Sequence, residues 1–366
     1  MSTPQPLSYG SSKTIIRYMK PNKRILLSCK CPTLCCAEKA VPLKLRTVKF
    51  GENDIEIGDT TYSLTFRRLD LVDGKFVEDK YSKMFEDVDR YGFRIPVGAQ
   101  PGDIDFGGGD VVDRTEAELN RAIERFRVNE QTPDKNLVFE AAKFQYRRKR
   151  LKPPYKFVIC LSVGHNDELL EYTKPLRFAQ KYLIKRIFEN REASNQPVEI
   201  RHLHLCAHRC IRFPEGLKLK THYLSATRCL NNLDEQIRPI LTDCSFPLAS
   251  IGTFSRIGDH HHPMIDSALE VKMNPTEMNQ ETVATLTHNR MHFKGNLNQL
   301  KDSILMIIEN WQQNNRIVGT HFSFNTRMAK DVMSDIQCPK DGEKKIHNVK
   351  HVIHMKVQMK TADVPE

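Results

Sequence analysis

Short apolar clusters divided by prolines open the chain. Ser11 and Ser12 are helix-capping residue types, and Ile15, Ile16 and Met19 follow at spacings that share one helical face. Pro21 is expected to stop that helix, since the residue before a proline is pushed out of the α region. Asn22 then caps a second piece containing Ile25, Leu26 and Leu27, and Cys31-Pro32 breaks the chain before Leu34, Ala37 and Val41. The pattern thus predicts helices over residues 13–19, 22–28 and 32–41, each two or three turns long. Helices this short are marginal in water, so packing on the rest of the chain or on a partner must hold them. Ile15, Ile16, Leu26, Leu27 and Leu34 are the expected docking or capping contacts, with Pro21 and Pro32 fixing the helix angles.

Beyond Pro42 the period changes from helical to alternating. Residues 43–50, 55–57 and 62–69 alternate apolar with polar, and Gly51-Glu52-Asn53-Asp54 and Gly58-Asp59 are turn compositions between them. An antiparallel meander follows from this, then a polar excursion over 70–87. Thr115 and Glu118 form a capping box opening a helix with Leu119, Ala122, Ile123 and Phe126 on one face, and 136–150 reads as a second helix. Pro153-Pro154 marks the expected domain boundary. After it, Phe157, Ile159, Leu161 and Val163 alternate as a strand, and Pro175 opens a helix carrying Leu176, Ala179, Leu183, Ile187 and Phe188. Strand-like and helical segments recur at 198–206, 217–223, 233–241, 247–254, 268–273 and 297–311, and strands at 317–324 and 349–359 close the series.

The fold class expected is α+β or α/β: short N-terminal helices, an antiparallel β region, then alternating strands and helices that form either an α/β layer or an irregular leucine-rich-repeat-like stack. Such a stack, if curved, offers a concave binding face. The domains expected are 1–41 (helical), 42–152 (β-rich with one or two helices) and 153–360 (α/β), with 361–366 a tail.

Length and composition fit this reading. The chain has 366 residues, 39% hydrophobic and 28% charged, as in ordinary globular proteins. Its longest strongly apolar run, 304–308, is far too short to cross a bilayer, and residues 1–10 hold no apolar signal core. No membrane contact is expected, and the ten cysteines read as reduced thiols of a cytoplasmic or nuclear protein. The net charge of +11 is dispersed, with one dense basic run.

Several patterns invite chemistry. On a continued strand, His202, His204, Cys206 and His208 would share one face as zinc ligands, although Leu203, Leu205 and Ala207 already explain the strand as core. Cys29, Cys31, Cys35 and Cys36 lack paired-knuckle spacing and read as small buried hydrophobes. His260-His261-His262 reads as an exposed loop. Gly107-Gly108-Gly109 reads as a flexible turn, because Asp103, Asp105 and Asp110 oppose a phosphate cradle. Arg147, Arg148, Lys149 and Arg150, near Tyr146 and Tyr155, make a nucleic-acid reading the first alternative, and metal binding at His202–His208 the second. The sequence holds no hydrolase elbow, Walker loop, zincin helix or kinase signature, so a non-enzymatic protein without cofactors is expected.

The run Pro6-Leu7, Ile15-Ile16, Tyr18-Met19, Arg24, Leu26-Leu27-Ser28, Cys31-Pro32 and Leu34 resembles a divergent F-box. More broadly, PLSYGSSKTIIRYMKPNKR, DVDRYGFRIP and PGDIDFG resemble a nematode-expanded family carrying a domain of unknown function, several of whose members are F-box-like. The resemblance implies a substrate receptor held to the adaptor of a cullin-type ubiquitin ligase by its opening helices.

Overall fold

The computed structural model describes residues 8–76, 86–96, 98–108, 113–128, 132, 135–189, 191, 196–227, 234–253, 263–273, 288–294, 320–325, 342–347 and 352–357. The fold is α+β, with short opening helices followed by alternating strands and helices. Two compact units interleave along the chain. One comprises residues 1–42, 49–196 and 207–217; the other comprises 43–48, 197–206 and 218–366. This division differs from the linear boundaries predicted. Pro153-Pro154, the expected domain boundary, leads straight into β5 (Tyr155–Val163), which pairs along its length with β3 (Thr60–Asp70).

In the first unit the opening helices are α1 (Tyr9–Tyr18), α2 (Pro21–Lys30) and α3 (Pro32–Lys39). Ser8, not Ser11 or Ser12, is the first N-cap, its Oγ accepting from the Ser11 amide at 3.2 Å. α1 ends before Pro21, as expected, and α3 starts at Pro32; Pro21 also opens α2, one residue before the predicted start, since a proline at the first helical position gives up only an N–H that had no partner anyway. Asn22 is released from capping, and its amide donates to the Ile57 carbonyl at 2.8 Å and to Thr60 Oγ1 at 2.9 Å. That carbonyl belongs to β2 (Asp54–Ile57), which forms the expected antiparallel hairpin with β3. Gly58, at φ 61°, takes the first turn position, which a side chain would strain.

The capping box forms as expected. The Thr115 amide donates to Glu118 Oε2 at 2.8 Å, opening α4 (Glu116–Val128), with Leu119 fully buried. Then come α5 (Lys135–Arg148), β5, β6 (Asn166–Glu171) and α6 (Leu176–Phe188). The sheet order here is β2-β3-β5-β6, all antiparallel, and Leu64, Phe66, Phe157 and Ile159 pack with Leu176 of α6. A short pair, β4 (Ile104–Asp105) with β8 (Cys210–Ile211), completes the unit.

A buried ionic cluster joins the opening helices to α6. Glu38 Oε1 meets Arg24 Nη2 at 3.1 Å and Arg191 Nη2 at 3.0 Å, and both guanidiniums also donate to the Val41 carbonyl. Beside it, Lys39 Nζ donates to the Arg186 and Ile187 carbonyls at 2.6 and 3.2 Å. These are last-turn carbonyls of α6 with no partner inside the helix, and a cation there also meets the negative end of the helix dipole. Burial, with Arg191 close by, pushes Lys39 down from the ordinary 10.5 to about 8. In the window between these two values the unfolded chain holds a proton that the folded chain has released. Stability should therefore rise with pH there, by about 3 kcal/mol in all. The rise should end near pH 10, where unfolded tyrosines ionise. Tyr62 and Tyr172, raised to about 12 by burial, do not. Urea midpoints measured across this range should show the slope in the native chain and not in Lys39→Met.

In the second unit, residues 43–48 carry most of β1 (Lys44–Phe50). Then follow β7 (Val198–Leu205), β9 (Leu219–Ala226), α7 (Asp234–Ile237), β10 (Ser250–Thr253), α8 (Pro263–Asp266), β11 (Val271–Met273), β12 (Arg290–Lys294) and β13 (His321–Asn325). From β7 to β13 each strand lies parallel beside the next one in the unit, the arrangement of a solenoid. β14 (Gly342–His347) and β15 (Val352–Val357) then close it with antiparallel pairing, β15 lying against β13. Among the described residues no helix is long and apolar enough to cross a membrane. The predicted features at 260–262, 297–311, 304–308 and 361–366, and at Gly109 and Asp110, lie outside the described residues.

Candidate functional site

The predicted docking residues divide between the two sides of the opening helices. On α1, Ser12 and Ile16 face inward, Ile16 packing with Ala37, Val41 and Met19. Positions 11, 15 and 18 recur at the spacing of the opposite face. There Ile15 is 48% and Tyr18 84% exposed, while Ile16 is 2% exposed. Leu26, Leu27 and Leu34 are half-buried, so they serve packing and surface together. The nearby Cys29, Cys31, Cys35 and Cys36 are free thiols, none of them buried, unlike the buried hydrophobes expected.

The basic run at the end of α5 loses much of what a nucleic-acid site needs. Arg148 pairs with Glu116, and Arg147 lies over the Phe93 ring at 4.8 Å. Lys149 and Arg150 are exposed. Tyr155 is buried, donating its hydroxyl to the Tyr91 carbonyl at 3.0 Å, and Tyr146 packs edge-on against it. Rings held in this way cannot stack on bases.

The first unit also holds a cleft of about 120 Å³ lined by Glu52, Glu86, Asp87, Arg177, Arg209 and Arg212 among others. Its arginines meet carboxylates of the same chain: Arg209 with Glu86 and Glu52, Arg177 with Asp87, and Arg212 with Asp103 at 2.7 Å. Burial pushes the Cys210 thiol at its rim up to about 12, which removes it as a nucleophile at neutral pH. Of the predicted glycine turn, Gly107 takes φ 67° with open space around it. A β-carbon on Gly108 would stand 2.4 Å from the His208 carbonyl oxygen, so the residue permits close backbone approach.

The histidines of the predicted metal site do not converge. β7 ends at Leu205, so the alternation that would carry Cys206 and His208 onto one face stops before them. His208 is exposed, and its backbone amide donates to Glu52. His202 stacks on Tyr223, ring centroids 4.4 Å apart, and His204 Nδ1 lies 2.6 Å from Ser225 Oγ. Among the described residues no group of three or more His, Cys, Asp or Glu side chains could hold a metal ion.

Those two histidines belong to a different arrangement. The parallel register sets His204, Ser225, Gly252, Lys272, His292 and Ser323 in one row across six strands. The adjacent row, Leu203, Leu224, Ile251, Val271, Met291 and Phe322, is buried throughout. Successive side chains along a strand point to opposite faces, so the unit has an apolar face and a polar one. His292 Nδ1 lies 2.7 Å from Ser323 Oγ, repeating the His204–Ser225 contact at the far end of the row.

Residues 175–328 match the family model of a domain of unknown function (DUF3557). Neither a curated protein nor a solved structure matches the chain. The DUF3557 segment starts at Pro175, directly before α6, and ends just past β13, so it contains the whole polar row and none of the opening helices.

Two features of the structure escape a linear reading of the chain. The ionic cluster sits among apolar neighbours of ordinary helices, where nothing in the pattern sets Arg24, Glu38 or Arg191 apart from surface charges. The polar row inside the DUF3557 segment joins residues that share a line only once the strand register is known.

Proposed function

We propose that the chain is a non-enzymatic protein-interaction protein whose opening helices dock on the adaptor of a cullin-type ubiquitin ligase, making it an F-box-like substrate receptor. The observation that carries this reading is the outward face of α1, where Ile15 and Tyr18 stand exposed at helical spacing while Ile16 anchors the inward side. A helix of ten residues presenting an aliphatic and an aromatic side chain suits helix-in-groove association. The parallel strands of the second unit supply a separate recognition region.

The double substitution Ile15→Asp, Tyr18→Asp tests the reading. Both side chains are exposed, so the melting temperature should change little. Capture of the chain by the purified adaptor should fall at least about tenfold, the loss expected when exposed anchors are removed. Capture equal to that of the native chain would remove the docking role of α1. Leu26 and Leu27 make a weaker test, because charges there also disturb packing.

A further inference from the structure

Among the described residues, the polar face of the second unit carries more positive than negative charge and has a defined length. Besides the row from His204 to Ser323, it holds His202 and Tyr223 on β7 and β9 and Arg290 two residues before His292 on β12. Lys272 Nζ and the Arg201 guanidinium lie over the Tyr223 ring at 5.6 and 5.9 Å. Arg46 of β1 is close enough to act on His202. Against these four cations stand, among the described residues, Glu270, paired with Lys272 at 3.2 Å, and Glu199, paired with Lys44 at 3.5 Å.

The floor between the charges is low. Ser225 and Gly252 stand second and third in the row, between His204 and Lys272, and a β-carbon at Gly252 would already touch Ser225 Cβ at 3.0 Å. Five strand-to-strand steps of about 4.8 Å give the row a length of about 24 Å, which about seven residues of extended chain would span. A ligand lying along it would meet imidazoles toward both ends and an ammonium between them.

We infer that this face binds an acidic, extended segment of another protein, laid across the strands from β7 to β13. Carboxylates along such a segment would accept hydrogen bonds from Lys272 and Arg290 and from the imidazoles, and complementary charge would set its register. Burial, and then the positive charge of Arg201, His204, Lys272 and Arg46, holds His202 below the usual imidazole range. A neutral His202 offers a carboxylate a hydrogen bond and adds little to the fixed charge a phosphate backbone needs. His202 also covers one face of the Tyr223 ring, which takes that face away from base stacking.

The test uses the full chain and a fluorescein-labelled peptide of alternating glutamate and glycine, followed by anisotropy. The native chain should bind this peptide and not its glutamine-for-glutamate counterpart. Lys272→Glu and Arg290→Glu should each weaken binding about tenfold, as expected for charge reversal at a contact. Ile15→Asp, Tyr18→Asp should leave it unchanged, which separates this site from the docking surface on α1. Circular dichroism verifies folding, and Lys272→Gln replaces the charge reversal if that variant is unfolded. Three results would overturn the inference: no binding to the native chain, equal binding by the glutamine peptide, or indifference to both charge reversals. A single-stranded oligonucleotide that binds more tightly than the peptide and is lost with the same variants would also overturn it, by marking a general polyanion surface.

Discussion

Glu38→Ala should lower the stability of the protein by about 3–5 kcal/mol, the usual result of removing one member of a buried ion pair and stranding the other. Here two guanidiniums, of Arg24 and Arg191, would be left together with no carboxylate between them. The Arg24 guanidinium is already held below its ordinary value by burial, even with Glu38 present. Their bonds to the Val41 carbonyl cannot offset the lost charge, since a carbonyl dipole offers less than a carboxylate. The midpoint of urea unfolding measures the effect. A loss below about 1 kcal/mol would mean that water reaches the cluster, as at exposed pairs. Glu38→Gln should fall between, keeping hydrogen-bond acceptance without the charge.

Phe50→Ala should cost about as much, roughly 3–5 kcal/mol, because the ring is wholly enclosed and leaves a cavity. Phe50 meets Phe188 of α6 and Phe213 at centroid distances of 5.5 and 4.7 Å, the second contact edge-on. Both partners are themselves buried, Phe188 at the end of α6 and Phe213 in the connection after β8, so collapse into the void should be incomplete. Phe50→Leu should recover most of the loss. Thermal melts of the two variants make the comparison, and equal melting temperatures for alanine and leucine would show that the site relaxes freely.

Local chemistry was legible where it depends on neighbours in sequence. The Thr115–Glu118 box, the Gly58 turn and the alternation from 62 to 69 each predict what forms, because cap, turn and strand period are decided within a few residues. Pro21 and Pro32 marked the breaks between the opening helices, but the caps were misplaced: Ser8 caps α1, and the Pro21 ring opens α2 before Asn22. β6 was invisible: its six residues are all exposed, and it is held by backbone pairing with β5, which leaves no apolar period. The site was less legible than the fold. His202 and His204 stand out in the sequence, but their partners Tyr223 and Ser225 are twenty-one positions away and are chosen by register. The metal reading failed on one local fact, that the strand stops at Leu205.

The way the chain passes back and forth between its two compact units bears on how it could be shortened or inherited. Neither unit is a single length of polypeptide, and residues 175–328 hold pieces of both. Expressed alone, that segment would lack β3 and β5, on which Leu176 of α6 packs in the first unit, and β1 and the closing pair β14–β15 of the second. A gene fragment encoding it should therefore yield an insoluble product, and exchange of this region between related genes would succeed only when the flanking sequence travels with it.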